Sequence, residues 1–135
     1  MRAVLDPNVL VAALLSRRGT PAQIVAGWLA GEFELVVSET LLAELERALA
    51  HPKLRSRLSA DEANAFIALL RHGGLLAADP AEPASRSADS GDDYLLGLAE
   101  QERAVLVSGD KHLLALAEEF PVQTARAFLG NLADR

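Results

Sequence analysis

A three-layer α/β/α sandwich around a central, mainly parallel sheet follows from three features of this sequence. Apolar runs at residues 2–5, 33–37 and 104–107 are short and largely continuous rather than alternating, as strands covered on both faces require. Each is followed closely by a Ser or Asp suited to starting a helix, so strand and helix alternate along the chain. The chain has 135 residues, half of them apolar, which is enough to cover both faces of such a sheet within one domain spanning 1–135.

The first strand, residues 2–5, ends at Asp6, and Val9 to Leu15 continues as an apolar helix. Ser16 to Gly19 breaks it; Thr20-Pro21 reads as an N-cap followed by proline at the first helical position, opening a helix to about Gly31 with Trp28 in the core. Phe33 to Val37 is the second strand, and Ser38 caps a helix to about Ala50, where His51-Pro52 stops it. Ser59-Ala60-Asp61-Glu62 has capping-box spacing and starts the next helix, which ends near Gly73-Gly74 before a weak third strand at Leu75 to Ala78. Residues 79–91 are rich in Pro, Ala and Ser and form a loop, too short to separate domains. A helix from about Asp92 to Arg103, a strand at Ala104 to Val107, a helix from Asp110 to Glu119, a strand at Val122-Gln123 and a helix capped by Thr124 complete the chain.

Composition narrows the function. Without cysteine there are no disulfides and no thiolate metal sites, which suits a reducing cytoplasm. No apolar run approaches the roughly 20 residues of a membrane span, so a cytoplasmic protein with no membrane association is expected. The net charge of −6, from 13 basic and 19 acidic side chains, opposes general attraction to a polyanion. The bases cluster at Arg17-Arg18 and at Lys53, Arg55 and Arg57, positions that read as solvated surface.

The acids are more informative. In an open parallel sheet, ligands bind beyond the carboxyl ends of the strands. Asp6 directly follows the first strand, and Asp110 follows Val105-Leu106-Val107 through Ser108-Gly109; taken singly, each could simply cap a helix. At about 100° per residue, Glu44 falls between Leu41, Leu45 and Ala48 on the apolar side of its helix, while Glu39 and Glu46 point elsewhere. An ionised acid there needs a pair, hydrogen bonds or a metal. The same wheel puts Asp92 on the arc of Leu95, Leu96 and Ala99 and turns Asp93 towards Glu100 on the outer flank, as a solvated acid or one supporting a metal-bound water. Asp89 is a weaker candidate in the loop. Four acids on one sheet edge repel unless a cation joins them, and a set of oxygens alone suits Mg²⁺ or Mn²⁺. His51 and His72 sit at helix ends and read as structural, as does His112 near the proposed site. There is no Gly-rich phosphate loop, and Ser16, Ser38 and Ser108 lack an evident base, which opposes serine-nucleophile chemistry.

Four segments carry a resemblance: Val4 to Leu15, Ser38 to Leu45, Asp89 to Leu96 and Val107 to Leu114. Their order and spacing resemble the PIN-domain family over nearly the whole length, and within it the toxin components of bacterial type II toxin-antitoxin pairs. The resemblance implies a Mg²⁺- or Mn²⁺-dependent endoribonuclease whose four acids are Asp6, Glu44, Asp92 and Asp110, with Asn8 and Ser108 assisting by hydrogen bonds. Pro7 departs from the pattern, because family members more often have Thr or Ser there, and a hydroxyl that would orient Asp6 is missing. Arg17, Arg18 and Lys111 are candidates for contacting substrate phosphates. RNA substrate, a cognate antitoxin covering the acidic cleft and a homodimer are the partners the resemblance implies. Two other readings compete. One is a non-cutting PIN-fold module that binds RNA or a partner. The other is a Mg²⁺ phosphatase of the haloacid-dehalogenase kind, which would want an acid where this chain has Asn8; a receiver-like domain would need a late lysine that Val122-Gln123-Thr124 does not offer.

Overall fold

The computed structural model describes residues 1–81 and 93–134, apart from the side chain of Asp93. Five strands, β1 (Arg2–Leu5), β2 (Glu34–Val37), β3 (Leu75–Leu76), β4 (Val105–Val107) and β5 (Val122–Gln123), form one sheet in the order β3-β2-β1-β4-β5. Every pairing is parallel, so the sheet is wholly rather than mainly parallel among the described residues. Ala3 lies opposite Leu35 on one side and Val105 on the other, which places β1 at the centre.

Helices α1 (Pro7–Leu15), α2 (Thr20–Leu29), α3 (Glu39–Leu49), α4 (Pro52–Arg55) and α5 (Ala60–Gly73) lie in the connections leading through β2 to β3. Helices α6 (Asp93–Gln101) and α7 (Lys111–Leu114) precede β4 and β5, and α8 (Ala125–Ala133) closes the chain. The connections β1→β2 and β2→β3 run one way along the sheet and β3→β4 and β4→β5 the other, so right-handed crossovers send their helices to opposite faces. Accordingly α1 packs on α2 and α3, whereas α6 packs on β1 and β4. The three strand residues Val4, Leu5 and Leu106 are fully buried between these layers, as are Leu10, Leu41 and Leu98 on the helices. Phe128 of α8 meets Phe33 edge-on with ring centroids 5.1 Å apart, closing the core below β2.

Local chemistry sets most helix starts. Ser38, Ser59 and Thr124 accept the amide protons of Leu41, Glu62 and Ala127, and Glu62 returns a bond from the Ser59 amide to complete the capping box. Gly74 ends α5 where a Cβ would lie 2.6 Å from the Leu70 carbonyl oxygen, so only glycine lets the chain turn into β3 this closely.

Three boundaries differ from expectation. Gly19, not Thr20, occupies the cap of α2, and no side chain caps it; Thr20 is already helical. Pro52 does not merely stop α3 but begins the short α4, with His51 Nδ1 accepting the Lys53 amide. The helix expected over 110–119 ends at Leu114, and the chain continues in tight turns such as Leu116 N–H to Leu113 O, which bring it back to β5 within a few residues. The loop expected at 79–91 lies largely outside the described residues.

Candidate functional site

With all strands parallel, their carboxyl ends share one edge. The strand order makes the crevice between β1 and β4 the switch point, because the chain leaves these neighbours in opposite directions. Asp6 leaves β1 there, and Ser108-Gly109-Asp110 leave β4 beside it. The ladder runs one residue past the strands: the Asp6 amide donates to the Val107 carbonyl at 3.0 Å, and the Ser108 amide to Gln123 at 3.0 Å.

This register fixes the Asp6 carboxylate. Asp6 is only 5% exposed. Its Oδ1 accepts the Asn8 amide at 2.9 Å, starting α1, and its Oδ2 accepts the Ser108 hydroxyl at 2.8 Å. Ser108 is fully buried, and its Oγ in turn accepts the Asp110 amide at 3.0 Å. One hydroxyl therefore ties the Asp6 carboxylate to the backbone amide of Asp110 across the crevice. Asp110 caps α7 by accepting the His112 amide at 2.7 Å and remains half-buried. Pro7 sits at the first position of α1, where the amide it lacks would have no helical partner.

Glu44 occupies the half-buried flank of α3, while Leu41 and Leu45 are buried and Glu46 is exposed. The Tyr94 hydroxyl donates to Glu44 Oε2 at 2.8 Å from α6, fifty positions away. The start of α3 is itself held by Asp79, whose Oδ2 accepts the Thr40 amide at 3.1 Å, and by an ion pair between Glu39 and Arg71. Asp79 Oδ1 is buried and has no hydrogen-bond partner among the described residues. Tyr94 and Asp79 were not anticipated from the sequence. Neither has a local signature, because what matters in each is a partner tens of residues away.

The remaining expected residues divide. Asp89 and Asp92 lie outside the described residues, as does the side chain of Asp93. The contact of Asn8 with Asp6 is through its backbone, and its side chain is exposed. Lys111 is exposed next to Asp110, whereas Arg17 and Arg18 are exposed beyond the far end of α1, so these three cations do not form one group. His51 and His112 are exposed at helix starts.

Does this set suit a divalent ion? Its donors are carboxylate and hydroxyl oxygens, appropriate to a hard cation. Neither Asp6 nor Glu44 has an ion-pairing side chain among the described residues, and the donors to Asp6 among them, the Asn8 amide and the Ser108 hydroxyl, are neutral. Those residues do not by themselves bring three acids or histidines together as a metal cluster, and a complete ligand set would have to draw on Asp92. Two grooves of about 560 and 520 Å³ open on the opposite edge, lined by Met1, Glu34 and their neighbours; they lie at the strand beginnings, away from these acids. No helix among the described residues is long and apolar enough to cross a membrane.

Comparison with known proteins adds the following. A family profile described as "PIN domain" matches residues 2–112. No curated protein matches the sequence. Among solved structures, the chain is similar to PAE2754 from Pyrobaculum aerophilum, with a TM-score of 0.72 at 19% identity over 100% of this chain and 97% of that one. It is also similar to VapBC2 from Rickettsia felis, determined bound to a DNA fragment from their promoter, with a TM-score of 0.65 at 15% identity over 92% of this chain and 98% of that one. At these identities the likeness to the two structures concerns the fold.

Proposed function

The chain belongs to the PIN-domain family, and we propose that it is a divalent-metal-dependent endoribonuclease whose acids are Asp6, Glu44, Asp92 and Asp110. The observation that supports this reading is that Ser108 holds the Asp6 carboxylate and the Asp110 backbone amide together in the β1/β4 crevice, the position where an open parallel sheet binds its ligand. Asp6 is held in one orientation as an acceptor by two donors, and Glu44 is steadied by Tyr94. Held by these carboxylates and Asp92, a Mg²⁺ or Mn²⁺ ion would supply Lewis acidity and offset the charge of the scissile phosphodiester. Asn8 and Asp93 are placed in sequence to support that ligand set, and Lys111 to meet a phosphate beside Asp110.

The family and the likeness to VapBC2 support a place in a type II toxin-antitoxin pair, with an antitoxin covering the acidic crevice as partner. A homodimer and a cytoplasmic location belong to the same proposal. The test is cleavage of single-stranded and structured RNAs with Mg²⁺, Mn²⁺ or EDTA, using wild-type protein, Asp6→Asn and Asp92→Asn. Metal-dependent cutting that is lost in both variants is expected. A folded, partner-free protein that binds RNA but cuts nothing with either ion would make it a binding module instead.

A further inference from the structure

We propose that the far end of α1 and the short helix α4 together form a basic platform that docks the backbone phosphates of single-stranded RNA, remote from the acidic crevice. The proposal rests on the nuclease reading and adds to it where the substrate strand runs.

Charge in this acidic chain is segregated. Residues 7–31 and 47–60 contain six cations, Arg17, Arg18, Arg47, Lys53, Arg55 and Arg57, and no carboxylate, although Glu46 and Asp61-Glu62 border the second stretch. In sequence these are two separate groups. The fold unites them, because Arg57 Nη2 donates to the Leu15 carbonyl at 3.1 Å, joining the end of α1 to the chain leaving α4. Arg17 follows Leu15 by two residues at this corner, and its charge also helps to lower the nearby Glu62 carboxyl, after the bonds with Ser59. All six cations are exposed, and none has an ion pair among the described residues.

Helix-end compensation is too small to account for them. The carboxyl ends of α1 and α3 present about half a negative charge each, roughly one charge in all, and Glu46, Asp61 and Glu62 at the borders add three more against six cations. The surplus repels itself unless an anion covers it. Distance favours a strand that also reaches the crevice: the nine residues of α1 separate Asp6 from this corner by about 14 Å at 1.5 Å per residue. About four stacked nucleotides, at roughly 3.4 Å each, cover that span.

The test is binding of a fluorescent 12-nucleotide single-stranded RNA, measured by anisotropy over a salt series with EDTA present so that nothing is cut. Wild-type protein is compared with the quadruple variant Arg17→Ala/Arg18→Ala/Lys53→Ala/Arg55→Ala and with Arg126→Ala, an exposed cation on α8. Arg57 is left intact because of its bond to Leu15, and circular dichroism verifies folding. The quadruple variant should bind at least about tenfold more weakly, with the slope of log K against log salt reduced by up to about 2.8, or roughly 0.7 per lost contact. Arg126→Ala should change neither. Affinity and slope unchanged within error would overturn the platform. Because cutting plays no part in this assay, its failure leaves the nuclease reading standing, and failure of RNA cleavage leaves this result standing.

Discussion

Replacing Ser108 by Ala removes one oxygen from the fully buried centre of the crevice and should cost more than its size suggests. Two bonds go with it. The first, 2.8 Å to the Asp6 carboxylate, is a bond to a charged acceptor that is 5% exposed, worth about 1.5–3 kcal/mol. The second, from the Asp110 amide at 3.0 Å, is a neutral bond worth about 0.5–1.5 kcal/mol, and water can partly replace it because Asp110 is half-buried. Together they predict a loss of about 2–4 kcal/mol, against roughly 5–15 kcal/mol for a domain of this kind, so the variant should still fold. In urea, with a slope near 2 kcal/mol/M, the midpoint should fall by about 1–2 M. A double-mutant cycle with Asp6→Asn should show a coupling of at least about 1 kcal/mol, since the two side chains share the bond. A loss below about 0.5 kcal/mol, or no coupling, would refute the claim that the hydroxyl holds the Asp6 side chain in place.

Other perturbations test the surroundings of the site. Tyr94→Phe leaves Glu44 half-exposed to water, so it should cost no more than about 1.5 kcal/mol in a urea titration yet lower any metal-dependent RNA cleavage several-fold; unchanged cleavage would deny Tyr94 a positioning role. Asp79→Ala removes the cap on the Thr40 amide and should destabilise by about 1 kcal/mol, a figure reduced by the unpaired buried oxygen it also removes; stabilisation would mean that burying this oxygen outweighs the cap. Glu62, held below its ordinary value of 4.5 chiefly by its bonds with Ser59, contributes stability above that value which is lost as pH falls through its lower folded pKa. Glu62→Gln should therefore flatten the acid side of a plot of thermal midpoint against pH, and an unaltered acid side would contradict the capping box.

Features set by nearby residues were legible in the sequence, and features set by distant pairing were not. Asp6 after β1, Ser38 before α3, the Ser59–Glu62 box and Thr124 before α8 all lie within one helical turn of what they bond. The wheel placing Glu44 on the inner flank of α3 agrees with its half-burial between buried Leu41 and Leu45. Pro52 misled because one proline can both end a helix and supply the first position of the next, and here it does both. The residues after Leu114 favour helix by composition, but the need to re-enter the sheet at Val122 overrides that preference. Strand order, the Tyr94–Glu44 bond and the Asp79 cap depend on contacts 39 or more positions apart in the latter two cases, for which local pattern carries no signal.

If the carboxylates at the β1/β4 crevice act together with Glu44 as one divalent-ion site, each of them is needed for ion affinity. Mn²⁺ titration followed by electron paramagnetic resonance, on wild-type protein, Asp6→Asn and Glu44→Gln, addresses it without relying on any RNA target. Wild-type protein should bind saturably, with affinity weakened at least about tenfold in each variant and folding retained by circular dichroism. Equal Mn²⁺ affinity in all three proteins would contradict a shared site.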